Sequence, residues 1–223
     1  MDYYFIIMRY DTVIFDLDGT LLDTLDDLTD GVNHALAEFG YPLATREQIR
    51  SRLGYGSGYL IASSVPGGRD CPEYQAVFDC YFAYYRAHSA VKTRPYPGIC
   101  ELLTELRRLG LRCAIVSNKP HLATLDLAKE YFDGLVDSAV GDQPGVVERK
   151  PAPDTVWAAM RELGGTRERS VYVGDSEVDI ETAKNAGIDC ISVAWGFRTR
   201  KQLAESGAQL IVEDARQLFE ALG

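Results

Sequence analysis

From about residue 94 to its end the chain alternates amphipathic helical segments with short apolar runs, and this rhythm restricts the fold more than any other feature. Ile99, Leu102, Leu103, Leu106 and Leu109 recur at helical spacing and stop at Gly110, and Cys113-Ala114-Ile115-Val116 then reads as a buried strand. The same logic predicts a helix over 121–130 with a strand over 136–140, a helix over 154–163 with a strand at 171–173, and a helix over 177–186 with a strand at 190–194. Asp154 is the expected N-cap of the second of these helices, and Gly164 and Gly187 are the expected stops. Leu210-Ile211-Val212 and a short terminal helix close the series, and Val13-Ile14-Phe15 adds a strand near the start. Strands that are apolar on both faces and alternate with helices demand a parallel sheet covered on both sides, so the expected class is α/β.

Residues 24–93 break the rhythm because they contain no convincing strand. Leu25, Leu28, Val32, Ala35, Leu36 and Phe39 form one helical stripe, and Tyr74, Val77, Phe78, Tyr81, Phe82 and Tyr85 form another. This is the pattern of an α-helical insert, 24–93, in a core made of 1–23 and 94–223. The aromatic stripe reads as the insert's own core. The joins fall at Asp23-Thr24 and at Arg94-Pro95-Tyr96-Pro97-Gly98, where prolines and a glycine suit a connector.

A net charge of -10 with no block of lysine or arginine argues against a nucleic-acid or anionic-membrane surface. The five cysteines are odd in number and lack a C-x-x-C pair, which suggests neither a disulfide framework nor a zinc site and fits a reducing cytoplasm. The apolar stretch Tyr3–Met8 is too short to span a bilayer, and either Met1 or Met8 is compatible with the native start.

In open parallel sheets ligands bind beyond the carboxyl ends of the strands, so polar residues there are read together. The first strand delivers Asp16, Asp18, Gly19 and Thr20; the second delivers Ser117, Asn118 and Lys119; the strand at 171–173 delivers Asp175 and Ser176, with Asp179 four residues beyond Asp175. Lys150 precedes Pro151-Ala152-Pro153 in a nearby loop. Each has a plain reading: an Asp-Gly turn and helix cap over 16–26, a polar strand end at Ser117, a solvated Lys150, a helix cap at Asp175-Ser176. Asp is a poor strand former that is rarely buried alone, and the joint placement of these residues at one sheet edge outweighs the separate explanations. Nothing in the spacing assigns Lys119 a role. His34, His88 and His121 lack ligand spacing and read as surface or packing residues. The glycine-rich segment Arg52–Gly58 follows a helical stretch and lacks the G-x-G-x-x-G spacing, so it reads as a loop of the insert closing over substrate, with Arg52 a candidate contact for a substrate carboxylate or second phosphate.

DLDGTLLD (16–23), VSN (116–118), RKPAPD (149–154) and VGDSEVD (173–179) occur in an order and spacing that resemble the haloacid dehalogenase superfamily of phosphohydrolases, over nearly the whole chain. Within it the chain is similar to the phosphoglycolate phosphatase-like branch, with a Rossmann-like parallel core and a helical cap inserted after the first strand. The resemblance implies Mg²⁺-dependent hydrolysis of a small phosphorylated metabolite by a monomer or homodimer. Asp16 is then the nucleophile, Asp18 the general acid and base, and Lys150 the cation beside Asp16. Mg²⁺ is expected on Asp16, the backbone carbonyl of Asp18, Asp175 and, further out, Asp179. Ser117 and the backbone amides of Asn118 and Gly19 are expected to hold phosphoryl oxygens, with Thr20 orienting Asp18. A phosphosugar mutase is the nearest rival, and Thr20 stands where related mutases usually carry valine. A pyrophosphatase or nucleotidase shares the scaffold. A phospho-accepting receiver module is the rival outside enzymes, but such modules are shorter and keep their acidic pair upstream of the acceptor. Dehalogenation has no use for Asp18.

Overall fold

A computed structural model describes residues 8–223, so the expectation for Tyr3–Ile7 lies outside the described residues. Six strands form one parallel sheet. The innermost, β1 (Thr12–Phe15), has every residue buried, as its unbroken apolar run requires. The connector strand β2 (Leu22–Asp23) follows, and then the helices of the insert, α1 (Leu25–Glu38), α2 (Arg46–Arg52), α3 (Ser57–Ala62) and α4 (Tyr74–His88). The chain returns through β3 (Arg94–Pro95) and continues as α5 (Ile99–Arg108), β4 (Arg112–Pro120), α6 (His121–Phe132), β5 (Ser138–Asp142), α7 (Asp154–Leu163) and β6 (Ser170–Gly174). It ends with α8 (Glu177–Ala186), β7 (Asp189–Val193), α9 (Arg200–Glu205), β8 (Ile211–Val212) and α10 (Ala215–Leu222). The spatial order is β5-β4-β1-β6-β7-β8, and β1 pairs in parallel with β4 on one side and β6 on the other.

Alternation along each strand explains the two covered faces. Val13, Phe15, Cys113, Ile115, Val171 and Val173 point into the cluster that holds Leu102, Leu103 and Leu106 of α5 and Leu218 and Leu222 of α10. Ile14, Ala114, Val116 and Tyr172 point the opposite way, against Val156, Ala159 and Met160 of α7 and Ala183 and Ala186 of α8. Among the described residues no helix is long and apolar enough to cross a membrane.

The insert has a hydrophobic cluster of its own, in which Leu28, Val32, Leu36, Ile49, Leu60, Ile61, Val77 and Tyr81 are buried. It joins the core through a two-stranded antiparallel ribbon of β2 and β3. Just beyond the ribbon Asp27, in the first turn of α1, is buried, and its two oxygens accept hydrogen bonds from the backbone amides of Lys92 (2.9 and 3.0 Å) and Thr93 (2.8 Å). One carboxylate therefore fixes the outgoing connector against the incoming one. A second clamp is Arg198, buried in the loop after β7, which pairs with Glu177 at 2.8 Å and donates to the backbone carbonyls of Arg50 and Leu53 in the insert. Because Asp27→Ala leaves the buried Thr93 amide and the part-buried Lys92 amide without their acceptor, it is expected to cost about 1–3 kcal/mol in urea unfolding, whereas Asp30→Ala, which removes an exposed pair with Lys92, changes stability by less than about 1 kcal/mol.

Candidate active site

Asp16, Asp18, Ser117, Asn118 and Lys150 line one cleft of about 450 Å³, counted with its opening to solvent, between the carboxyl ends of β1 and β4 and the insert. The insert contributes Leu28, Leu53, Gly54, Gly56, Ser57, Leu60 and Tyr81. Asp16 leaves the sheet directly after β1, its amide still bonded to Val173 of β6 at 2.9 Å. Two residues later Asp18 enters the same cleft, as the period of an extended chain requires.

Lys150 organises the floor. Its ammonium lies 2.9 Å from Asp16 Oδ1, 2.8 Å from Asp179 Oδ1 and 3.0 Å from the Tyr172 hydroxyl, and that hydroxyl donates in turn to the Val116 carbonyl. All four groups are buried, so the ammonium is held on three sides by protein groups. Asp179 also caps α8, accepting from the amide and the hydroxyl of Ser176 through its other oxygen. Asp175 accepts from the Phe197 amide at 2.6 Å and, weakly, from the Thr20 hydroxyl at 3.3 Å. Thr20 thus supports Asp175 and not Asp18, which corrects the expectation.

Two further expectations change. The Gly19 amide donates to the Leu22 carbonyl at 2.8 Å inside the turn and is not free for a phosphoryl oxygen. Among the described residues, the amides of Leu17 and Asp18 have no hydrogen-bond acceptor and are the open donors of this loop. Glycine is required at 19 for a different reason: its φ is +89°, and a Cβ there meets the Asp175 carboxylate at 2.5 Å. Gly196 packs against the same carboxylate, and a Cβ there meets the Gly19 carbonyl at 2.3 Å and Asp175 Oδ2 at 2.5 Å. Arg52 does not line the cleft; its guanidinium donates to the Ser64 hydroxyl at 3.1 Å within the insert. The side-chain amide of Asn118 ties the Gly54 carbonyl to the Lys150 carbonyl, so Asn118 joins the insert loop to the lysine loop.

Sequence reasoning missed Lys119. It is buried, lines the cleft, donates to both Asp18 oxygens at 2.9 and 3.1 Å and donates to the Tyr85 hydroxyl of α4 at 2.7 Å. The available signal was its place with Ser117 and Asn118 at the carboxyl end of a strand of a parallel sheet, where ligands bind. Tyr81 and Tyr85, read as the insert's core, also roof the cleft or reach into it. Trp195, whose indole donates to the Thr20 carbonyl, and Arg198 carried no motif at all.

The electrostatics follow from burial. Dry surroundings push the Asp16 carboxyl up to about 7, against the pull of Lys150 and with a further push from Asp179. Burial, then Asp179 and Asp16, hold Asp175 well above the ordinary carboxylate range. Burial works against the charge of Lys150, but Asp16 and Asp179 outweigh it and keep the amine protonated. Asp16, Asp175 and Asp179 each bring an oxygen within 4.8 Å of the others, all buried, and Asp16 Oδ1 receives no properly aligned hydrogen bond. Three carboxylates against one ammonium leave uncompensated negative charge in a dry site, which a proton or a hard cation must neutralise, and the all-oxygen donor set fits Mg²⁺.

The haloacid dehalogenase-like hydrolase family matches residues 13–193. The phosphoglycolate phosphatase of Mesorhizobium japonicum (strain LMG 29417 / CECT 9101 / MAFF 303099) is 32% identical over 221 residues, covering 95% of this chain and 97% of that one. The N-acetylmuramic acid 6-phosphate phosphatase of Pseudomonas aeruginosa PAO1 is 30% identical over 216 residues, with 96% of each chain covered. A crystal structure from Lactobacillus delbrueckii subsp. bulgaricus, assigned as a phosphoglycolate phosphatase, superposes with a TM-score of 0.90 at 38% identity, over 96% of this chain and 99% of that one. The chain belongs to the haloacid dehalogenase-like hydrolases.

A carboxyl with a raised pKa stabilises the fold below its unfolded value of 3.8, and that contribution is lost as pH rises through about 7. Asp16→Asn mimics the neutral form. In EDTA, its stability relative to the parent is expected to rise between pH 5 and pH 8, by at most about 1.4 kcal/mol per pH unit, in parallel urea titrations. A constant difference across that range contradicts the assignment.

Proposed function

We propose that this hydrolase cleaves a small phosphate monoester, phosphoglycolate or a close analogue, through an aspartyl-phosphate on Asp16. The observation that carries the reading is the position of Asp16: a buried carboxylate beside an immobilised ammonium, at the floor of a cleft that also exposes Asp18 and Ser117. Hydrolysis of such an ester is extremely slow without catalysis, and an anion attacking an anion needs positive charge at the point of contact.

In the first step an Asp16 oxygen bonds to phosphorus and the ester P–O bond breaks. The departing alkoxide takes a proton from Asp18. In the second step Asp18 takes a proton from water, the resulting hydroxide attacks phosphorus, and inorganic phosphate leaves with Asp16 restored as carboxylate. Lys150 holds Asp16 in place and offsets its charge. The Ser117 hydroxyl and the amides of Leu17, Asp18 and Asn118 are suited to the phosphoryl oxygens, with Gly19 and Thr20 shaping the loop that presents them. Mg²⁺ would be held by Asp16, the Asp18 carbonyl and Asp175, with Asp179 behind them, and when bound it supplies positive charge to the transferring group. Residues 24–93 act as a cap that roofs the cleft. The apolar side chains that the insert lends the cleft, Leu28, Leu53, Leu60 and Tyr81, offer little to the hydroxyls of a sugar, which favours a short leaving group over an amino sugar of the kind named for the Pseudomonas aeruginosa relative. The five cysteines are unpaired, in keeping with a reducing cytoplasm.

A steady-state screen of phosphoglycolate, sugar phosphates, nucleotides and pyrophosphate, with and without EDTA, tests this reading. Phosphoglycolate is expected to give the highest kcat/KM, Asp16→Asn to lower kcat by on the order of 10³ or more, and Asp18→Asn to leave little turnover. Parental activity in Asp16→Asn excludes the covalent route. Chelation is expected to abolish turnover and Mg²⁺ to restore it; in the same buffers Mg²⁺ raises the Tm of the parent and not of Asp175→Asn.

A further inference from the structure

We infer that Lys119 reads the leaving group, so that the cleft takes an ester whose alcohol carries a negative charge within two or three bonds of the ester oxygen; this deepens the phosphatase reading above and rests on it. Two ammonium groups line the cleft, and they are not equivalent. Lys150 is saturated: Asp16, Asp179 and the Tyr172 hydroxyl surround it beneath the cleft. Lys119 directs its donors to a single carboxylate, both oxygens of Asp18, and to one neutral hydroxyl, that of Tyr85. Contact with both oxygens of one carboxylate can relax to contact with one, which frees an N–H for a ligand anion and releases the other Asp18 oxygen toward the ester.

The position matches the chemistry. In the proposed reaction the Asp18 carboxyl touches the ester oxygen, and Lys119 touches Asp18 at 2.9 Å. The ammonium is therefore no more than about two hydrogen-bond lengths from the ester oxygen, a distance that a carboxylate one methylene away can span. The side chain of Lys119 is 3% exposed, under an apolar roof that includes Leu28, Leu60 and Tyr81, so its charge is weakly screened. The arginine expected to meet such an anion, Arg52, is turned into the insert, and of the residues that line the cleft only Lys119 and the saturated Lys150 are cationic. Tyr85 holds Lys119 from α4, so an insert helix sets where the reading cation stands while the nucleophile stays on the core.

The test compares phosphoglycolate with 2-hydroxyethyl phosphate, which replaces the carboxylate with a neutral hydroxymethyl group of similar size. The parent is expected to prefer phosphoglycolate by on the order of 10- to 100-fold in kcat/KM, the range of one hydrogen bond to a charged group. Lys119→Met lowers turnover of both esters through Asp18 but reduces that ratio to near one, mainly through KM for phosphoglycolate. Equal losses for both esters mean that Lys119 only positions Asp18 and overturn the inference. Since Lys119→Met alters a buried pair, glycolate inhibition of the parent provides a second arm: glycolate is expected to compete with substrate and ethylene glycol not to, and equal weakness of both overturns the inference without any variant. If the parent hydrolyses the two esters equally well, the phosphatase reading stands and the inference fails. If it hydrolyses no monoester in the screen, the phosphatase reading itself fails.

Discussion

The Lys150 ammonium is the interaction on which the rest of this site depends. It is buried between Asp16 and Asp179, and without it the two carboxylates would face each other in a buried site with no counter-charge from this side. The triangle also ties three pieces of chain together: the end of β1, the first turn of α8 and the loop before α7. Asp179 completes the arrangement by capping α8 through Ser176, so the group that steadies the lysine also fixes the helix whose preceding loop carries Asp175. Tyr172 adds a hydroxyl from the face of the sheet opposite to that of Phe15, and links the lysine to the backbone of β4.

Around this centre the chain separates two tasks. The core presents the groups of the phosphoryl-transfer proposal on rigid strand ends, and glycines at 19 and 196 let backbone approach the Asp175 carboxylate to distances no side chain allows. The insert supplies the other wall of the cleft, which in that proposal meets the rest of the substrate. Its attachment is polar and specific: Asp27 joins the two connectors, Arg198 reaches from the core to the carbonyls of Arg50 and Leu53, and Lys119 meets Tyr85. Such contacts fix orientation more than they add stability, since each depends on a charged group whose loss leaves its partners buried and unpaired.

Asp18 shows how the two tasks meet. It stands on the core but faces a lysine that Tyr85 of the insert contacts, and in the inference drawn above this lysine separates a bare phosphate cleft from one that discriminates among esters. Size alone gives weak selection, whereas a buried charge that must be matched rejects a neutral analogue more strongly.

The alternation of apolar strands and amphipathic helices was sufficient to define the parallel sheet, because burial on both faces leaves an unbroken apolar run that no other architecture uses as well. Helices α7 and α8 end where Gly164 and Gly187 indicated, but Asp154 is the first residue of α7 and not its N-cap, a place taken by Pro153, and α9 and the β2–β3 ribbon were too short to produce a period. The core residues that share the cleft, Asp16, Asp18, Ser117, Asn118 and Lys150, were legible because each sits at a strand end or in a loop that this topology brings to one edge. The partners of those residues were not legible. That Gly19 spends its amide within its own turn is a detail of local backbone geometry, and that Thr20 serves Asp175, Arg52 faces Ser64 and Lys119 pairs with Asp18 are outcomes of packing between segments up to 155 residues apart. Local sequence fixes which chemical groups a loop can offer. Which group each one meets is decided only when sheet and insert close on each other and every buried donor and acceptor must find a partner.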